Sequence, residues 1–103
     1  MKISILPSAS RDLIEGYSFY EKQTEGLGNY FLDSLYSDID SLMISAGVHT
    51  LCFGSYLRLL SRRFPFAVYY RLEDDVAKIH AVLDCRRNPA WVRKRLAIVR
   101  PQR

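Results

Sequence analysis

The stretch that decides the fold is Ser61–Trp91, with the sequence SRRFPFAVYYRLEDDVAKIHAVLDCRRNPAW. It contains two apolar runs, Phe66–Leu72 and Val76–Leu83, on either side of the acidic tripeptide at positions 73–75. Runs rich in Val, Ile, Tyr and Phe that end at charged or Pro-containing breaks are typical of β-strands. We therefore predict a β-hairpin, and we place it at the centre of the domain.

The alternation of residue types within the two runs predicts the register of this hairpin. The predicted core face pairs Leu72 with Ala77, Tyr70 with Ile79, Val68 with Ala81 and Phe66 with Leu83. The opposite face then pairs Ala67 with Val82, Tyr69 with His80 and Arg71 with Lys78. A slip of one residue would mix the two faces, so the pattern specifies the register strongly.

A chain of 103 residues forms one small domain, which we predict over residues 1–96 with a basic, frayed tail over 97–103. No apolar run approaches the roughly 20 residues that a membrane span needs. The N-terminal segment MKISILPSAS is too short in its apolar part for a signal peptide, so a cytoplasmic protein is expected. Cys52 and Cys85 lack metal-ligand or redox spacing, which favours free thiols and leaves a disulfide open.

Charge is distributed unevenly along the chain. Residues 1–55 hold three basic and seven acidic residues, whereas residues 56–103 hold twelve basic and four acidic residues. The net charges of these halves are −4 and +8. A basic half of this kind favours an anionic partner, either nucleic acid or an acidic protein segment, over a role in solubility alone.

The remaining elements follow from periodicity and from Gly and Pro breaks. The predicted elements are a strand over Lys2–Leu6, a helix over Ala9–Gln23 capped by Ser8, a helix over Leu27–Ala46, a loop over Gly47–Gly54, a strand over Tyr56–Ser61 and one or two helical turns over Ala90–Leu96 with Trp91 docked on the sheet. Gly16 lies inside the first helix, which implies a close contact there. The order β-α-α-β-β-β predicts an α+β fold with a helical hairpin on one face of a mainly antiparallel four-stranded sheet.

The other face of that sheet is therefore expected to be open, and it is the candidate functional surface. The familiar catalytic signatures and metal-ligand clusters are absent from the sequence, so no cofactor is expected. The predicted open face carries Arg58, Tyr69, Arg71, Lys78 and His80, and its rim carries Arg62, Arg63, Arg86 and Arg87. Arginine can grip carboxylate or phosphate in a bidentate manner, while Tyr and His can stack or transfer protons. The alternative for His80 is a half-exposed partner of Tyr69 across the strands.

Four blocks of sequence carry a resemblance to a known family. The blocks are SASRDL at positions 8–13, GLGNYFL at positions 26–32, RRFPFAVYYR at positions 62–71, and AVLDCRRNP at positions 81–89 followed by Trp91. Through them residues 2–95 resemble the ParE/RelE superfamily of bacterial type II toxins. The resemblance implies the β-α-α-β-β-β fold and a cognate antitoxin, whose acidic segment would suit the basic half and could add a strand to an exposed sheet edge.

Two branches of this superfamily differ at the residues expected to act. The RelE-like branch cuts mRNA on the ribosome with paired lysines on a strand where this chain has Leu57 and Leu59, with a strand arginine near Ala67, and with a tyrosine that falls at Trp91 or Val92. Only Arg86 matches that set, so the ParE-like, plasmid-stabilisation branch, whose members inhibit DNA gyrase by binding, fits better. That branch often has His-Gly before the arginine pair, where Asp84 and Cys85 stand here. We expect Asp84 to pair with a neighbouring arginine.

The sequence thus predicts a ParE-like toxin without catalytic residues of its own. The residues predicted to bind the target or the antitoxin are Arg58, Arg62, Arg63, Tyr69, Arg71, Arg86, Arg87 and Trp91. One alternative is a ribosome-dependent mRNA interferase that would use Arg86, His80 and Arg58. The other is a non-toxic remnant that retains only affinity for the antitoxin.

Overall fold

A five-stranded sheet with helices on both faces forms the body of the protein, whose computed structural model describes residues 1–99. The elements are β1 (Lys2–Ile5), α1 (Pro7–Gln23), α2 (Leu27–Asp40), α3 (Leu42–Ser45), β2 (Thr50–Cys52), β3 (Tyr56–Leu60), β4 (Phe66–Glu73), β5 (Val76–Asp84) and α4 (Pro89–Val99). The strand order is β1-β5-β4-β3-β2, with β1 parallel to β5 and the other neighbours antiparallel. The predicted α+β class is confirmed. The sheet has five strands and not four, because part of the expected Gly47–Gly54 loop pairs with β3 as β2.

Helices α1 and α2 form the expected hairpin on one face of the sheet. Helix α1 begins at Pro7, one residue before the predicted cap, and the Ser8 Oγ donates to the main-chain oxygen of His80 at 2.8 Å. Helix α2 ends at Asp40 and not at Ala46. The predicted helix is interrupted at Ser41, which separates α2 from α3. The Ser41 Oγ donates to the Asp38 carbonyl oxygen at 2.6 Å.

The close contact expected at Gly16 lies at the crossing of the two helices. A Cβ added at Gly16 would lie 2.5 Å from the ring of Phe31. Phe31 is fully buried and stacks edge-on against Phe64 and Phe66, so the crossing anchors an aromatic cluster between the helices and the sheet. Glycine at this position therefore permits an approach that any side chain would obstruct.

The predicted register of the β4–β5 hairpin is confirmed near the turn and is wrong beyond Tyr70. Tyr70 lies opposite Ile79 and Leu72 opposite Ala77, as predicted. A β-bulge then shifts the pairing, because His80 is an extra residue on β5. The observed pairs beyond the bulge are Tyr69 with Ala81, Val68 with Val82, Ala67 with Leu83 and Phe66 with Asp84. Val82 therefore joins the core under the helices, while Ala81 and Leu83 face the other side of the sheet.

That other side is covered by α4, so the prediction of an open face is wrong. Val92 and Leu96 of α4 are buried against a second apolar cluster that includes Tyr56, Tyr69 and Leu83. The Tyr56 hydroxyl donates to the Leu96 carbonyl oxygen at 3.2 Å. The expected Ala90–Leu96 helix is longer at both ends, and of the tail predicted to fray, residues 97–99 are helical while residues 100–103 lie outside the described residues.

Two further sequence predictions concern the membrane and the cysteines. None of the helices in residues 1–99 is both long enough and apolar enough to cross a membrane. Cys52 is half-buried, Cys85 is exposed, and both are free thiols in the structure.

Candidate functional site

The two arginine pairs meet at one end of the sheet. Phe66 begins β4 opposite Asp84 at the end of β5, and the Cys85 N–H donates to the Pro65 carbonyl oxygen at 2.9 Å. The loop before β4 and the turn after β5 are therefore neighbours. We call the end of the sheet that carries Arg62, Arg63, Arg86 and Arg87 the arginine end.

Arg62 is held to the helical hairpin by a buried carboxylate. The Arg62 Nε lies 3.2 Å from Oδ1 of Asp38, and the Ser61 Oγ donates to the other oxygen of Asp38 at 2.7 Å. Asp38 is only 4% exposed, whereas the Arg62 side chain is 68% exposed. The α2 carboxylate thus fixes the base of the loop and leaves the outer part of the Arg62 guanidinium, together with exposed Arg63, facing solvent.

Arg86 forms the ion pair that the sequence led us to expect. Its Nε and Nη2 donate to the two oxygens of Asp84 at 3.0 and 2.7 Å, and its main-chain N–H donates to Oδ1 at 2.8 Å. These hydrogen bonds from Arg86 hold the pKa of the Asp84 carboxyl below its ordinary value. Asp84 therefore occupies one edge of the Arg86 guanidinium with a fork-like contact.

Arg87 and Trp91 form one wall of a cleft beside β5. The Arg87 guanidinium carbon lies 4.3 Å from the centre of the Trp91 ring, a cation–π contact. Trp91 also lines the cleft together with Val82 and Leu83 of β5. The cleft has a volume of about 320 Å³ and lies between α1, β5 and α4. Phe19 and Gly16 of α1 also line the cleft, so exposed aromatic rings from α1 and α4 border it.

Asp12 and Arg95 join three elements at the same cleft. The Asp12 carboxylate accepts hydrogen bonds from the Val82 main-chain N–H at 3.0 Å and from Nη2 of Arg95 on α4. Burial raises the pKa of Asp12, although the bonds from Val82 and Arg95 act in the opposite direction. Asp12 and Arg95 were not among the residues predicted from the sequence. An available signal was the spacing of Ser8 and Asp12, which places both polar side chains on the packed face of α1.

The remaining predicted site residues lie on the sheet face beneath or beside α4. Tyr69 and His80 are 2% and 0% exposed, so the expected half-exposed pair is wrong, and the bulge places Ala81 opposite Tyr69. The His80 ring instead meets the Tyr56 ring edge-on at 5.3 Å. Burial raises the pKa of the Tyr69 hydroxyl. These two groups are shielded from any large substrate while α4 is in place.

Arg58 and Arg71 lie at the margin of this covered face. Arg58 pairs with Tyr69 across the strands, and Arg71 lies over the Tyr56 ring at 4.7 Å and donates to the Ser55 hydroxyl. Both side chains are half-buried. Lys78 lies beside them on β5 and pairs with Glu73 at 3.0 Å.

The predicted binding residues therefore fall into two groups and not one surface. The arginine end joins both arginine pairs and Trp91, while Arg58, Tyr69 and Arg71 lie on the α4 side of the sheet. Within residues 1–99, no group of three or more His, Cys, Asp or Glu side chains is arranged to hold a metal ion. The exposed guanidiniums of the arginine end are suited to bind carboxylates or phosphates.

Comparison with known proteins identifies the fold. No protein-family model matches the chain, and no curated protein matches its sequence. A solved structure described as the chromosomal ParDE TA system from P. aeruginosa is similar to this chain with a TM-score of 0.70 and 18% sequence identity. The match covers 80% of this chain and 92% of that chain. The protein thus has the ParE/RelE-type fold that its sequence resembles.

Proposed function

We propose that this chain is the toxin of a type II toxin–antitoxin system, of the ParE-like branch, and that it inhibits DNA gyrase by binding. The observation that carries the proposal is the shared fold with a chain of a ParDE system over most of both chains. That system is described as a TA system, so we extend the proposal to a cognate antitoxin and a bacterial cytoplasmic location. The further proposal of a role in plasmid stabilisation rests on the sequence resemblance alone, because the matched system is described as chromosomal.

The arrangement of the candidate residues supports binding in preference to catalysis. A nuclease that used His80 would need this side chain to reach RNA, yet His80 is fully buried. At the arginine end, by contrast, the side chains of Arg62 and Arg86 are 68% and 64% exposed. Exposed arginines beside an exposed aromatic ring are characteristic of protein-binding surfaces.

The antitoxin is proposed to engage the chain through charge. The half of the chain from residue 56 onward has a net charge of +8, and it supplies all four arginines of the arginine end. An acidic antitoxin segment would pair with these guanidiniums, and so would reduce their availability to the target. The proposed contact residues are Arg62, Arg63, Arg86, Arg87 and Trp91, with Arg58, Tyr69 and Arg71 as a second region.

Induced expression tests this function. We expect growth arrest and altered plasmid supercoiling, and we expect the purified chain to inhibit DNA gyrase directly. Arg86→Ala should weaken both effects, while Lys2→Ala removes one positive charge at the opposite end of the sheet, where Lys2 pairs with Val76, and should leave them unchanged. Unaltered growth and supercoiling would overturn the gyrase assignment, and cleaved transcripts would favour the interferase.

The antitoxin has its own test. We expect a reading frame beside this one to encode a short DNA-binding protein with an acidic tail. Co-expression of that protein should restore growth. A toxic chain without such a neighbour would be assigned to another kind of system.

A further inference from the structure

Two arginines occupy diagonal positions on the α4 side of the sheet. Arg58 on β3 lies directly opposite Tyr69 on β4. Arg71 is two residues further along β4, on the same face, and its guanidinium carbon lies 4.7 Å from the centre of the Tyr56 ring. Diagonal neighbours in an antiparallel pair are about 7–8 Å apart, a distance that long side chains can bridge. Arg58 and Arg71 can therefore contact one and the same ligand.

A third arginine joins them from α4. The Arg93 guanidinium carbon lies 5.4 Å from the centre of the Phe53 ring, and that ring lies 6.2 Å from the ring of Tyr69. Tyr69 is in turn the residue opposite Arg58. Three cations from β3, β4 and α4 thus lie around one aromatic cluster, and we call Arg58, Arg71 and Arg93 the triad.

No side-chain carboxylate neutralises the triad within residues 1–99. None of the ion pairs that these residues form includes a triad arginine. The sequence explains this, because it contains no Asp or Glu between Asp40 and Glu73 and none after Asp84. Glu73 is two residues from Arg71 on β4, but it pairs with Lys78 at 3.0 Å. The elements that carry the triad therefore supply cations without the matching anions.

Two of these cations are partly withdrawn from water. Arg58 and Arg71 are half-buried, and the Nε atom of each is buried without an acceptor among the described residues. Neighbouring like charges repel each other, and they do so more strongly where water is partly excluded. A bound anion would therefore stabilise this arrangement more than it would stabilise Arg62 and Arg86, which already have carboxylate partners.

Three guanidiniums from three elements fit a phosphate group better than a carboxylate. A carboxylate offers two oxygens and one charge, and a single guanidinium takes up both oxygens where Arg86 binds Asp84. A phosphate monoester offers three acceptor oxygens and carries about −1.5 to −2 charge at neutral pH. Its charge and its number of acceptors thus match a set of three arginines.

We propose that Arg58, Arg71 and Arg93 form a binding site for a dianionic phosphate group, supplied either as the free ion or as a monoester. The Ser55 hydroxyl, which accepts from Arg71, can donate to the same anion. Because Arg93 belongs to α4 and the other two arginines belong to the sheet, the bound anion also fastens α4 to the sheet. The proposal depends neither on gyrase nor on the antitoxin.

Calorimetric titration of the full chain with inorganic phosphate tests the site. Ionic strength is held constant with NaCl, sulfate serves as a second dianion, and acetate serves as the carboxylate. We expect one phosphate or one sulfate per chain, with acetate weaker by about tenfold or more. Adenosine monophosphate distinguishes the two sources, since tighter binding than phosphate assigns the site to a monoester and equal binding assigns it to the free ion. An oligothymidylate without a terminal phosphate should not displace phosphate.

Substitutions locate the binding. Arg58→Met and Arg71→Met should each weaken phosphate binding by about tenfold or more, the effect of losing one charge-assisted hydrogen bond. Arg93→Met should weaken it as well, and this change at an exposed position leaves the sheet untouched. Lys94→Met removes one charge from the neighbouring exposed position on α4, and should keep the affinity within about twofold because exposed charges are screened. Circular dichroism confirms that each variant is folded.

Four results would overturn the proposal. Phosphate and sulfate would both fail to bind, or acetate would bind as well as they do. Equal losses in Arg93→Met and Lys94→Met would show a diffuse effect of net charge in place of a site. Displacement of phosphate by the oligothymidylate would assign this face to a nucleic-acid backbone.

Discussion

The carboxylate of Asp12 accepts a hydrogen bond from the main-chain N–H of Val82 at 3.0 Å, although 70 positions separate the two residues. The bond occurs where β1 has ended and β5 continues. Leu6 makes the last main-chain contact of the first segment, to Ile79, and the side chains of Ser8 and Asp12 then bind His80 and Val82 in turn. The first two turns of α1 thus replace a strand as the partner of the β5 edge.

This relationship connects the edge of the sheet to α4, because Arg95 donates to the same carboxylate. We expect Arg95→Met to lower the free energy of unfolding by about 2 kcal/mol or more, since the change removes a partner from a buried charge. Hydrogen exchange should show faster opening of α4 than of β5. Lys94→Met, a change at an exposed neighbouring cation on the same helix, should leave both stability and exchange close to wild type. Equal stability of the two variants would contradict the role given to Asp12.

The pH dependence of this site has a definite sign. Burial raises the pKa of Asp12 in the folded chain above its ordinary value of 3.8, so the folded state favours the neutral form relative to the unfolded state. The contribution of Asp12 to stability is greatest below 3.8 and is reduced as pH rises through the folded pKa. Asp12→Asn cannot titrate, yet its amide oxygen can still accept from Val82.

We therefore expect the stability of the wild type, relative to Asp12→Asn, to increase as pH falls from about 7 to about 4. Denaturant unfolding of both proteins across this range measures the difference. The wild type must be compared with Asp12→Asn at each pH, because other carboxyls also titrate in this range. Arg86 lowers the pKa of Asp84, so the contribution of Asp84 to the free energy of unfolding is lost as pH falls in both proteins. A difference that is constant with pH, or that moves against the wild type on acidification, would contradict the direction given for Asp12.

Gly16 provides a test of packing. Gly16→Ala should lower the free energy of unfolding by about 1–3 kcal/mol, because the new Cβ overlaps the Phe31 ring at 2.5 Å and that ring is enclosed by other aromatic side chains. Gly28→Ala is the comparison variant, since its Cβ would meet the Tyr17 ring at 2.7 Å and the Glu21 Oε1 at 2.8 Å, and both of these side chains are only half-buried and can move outward. Thermal unfolding should rank Gly16→Ala as the less stable variant. The reverse order would show that the helix crossing is more adaptable than its contacts indicate.

The hairpin shows where sequence patterns suffice and where they fail. Strict alternation from Leu72 back to Tyr70 gave the correct partners, because side chains repeat every second residue in a regular strand. The bulge at His80 could not be predicted, since either register places apolar residues on both faces at Ala81–Leu83. What selects the observed register is tertiary: α1 binds the main-chain groups of His80 and Val82, and α4 covers the second face.

The candidate site was predictable to the extent that it depends on strand ends. Arg62 precedes the start of β4 and Arg86 follows the end of β5. The start of β4 and the end of β5 are neighbours in an antiparallel hairpin, so the hairpin necessarily brings the two arginines together. The carboxylate partners of the two arginines differ in how far the sequence predicts them. Asp84 is two positions from Arg86 and its pairing was expected, whereas Asp38 lies on α2 and needs the helix–sheet packing to be known.

The pairing of Asp84 with Arg86 leads to a prediction about function. If Arg86 contacts the target, Asp84 competes for the same guanidinium edge, so Asp84→Asn should strengthen gyrase inhibition by about tenfold, the effect of losing one charge-assisted pair. Arg86→Ala should abolish most of the inhibition. The double variant should behave like Arg86→Ala, because without the guanidinium there is nothing for Asp84 to occupy.

These three variants are compared as inhibitors at matched concentrations of folded protein. Asp84 is at the end of β5 and its carboxylate is partly exposed, so the substitution should leave the fold intact by circular dichroism. Weaker inhibition by Asp84→Asn would mean that the ion pair itself holds Arg86 in its binding geometry. Unchanged inhibition in all three variants would remove Arg86 from the contact surface and leave the candidate site to Arg62, Arg63 and the wall formed by Arg87 and Trp91.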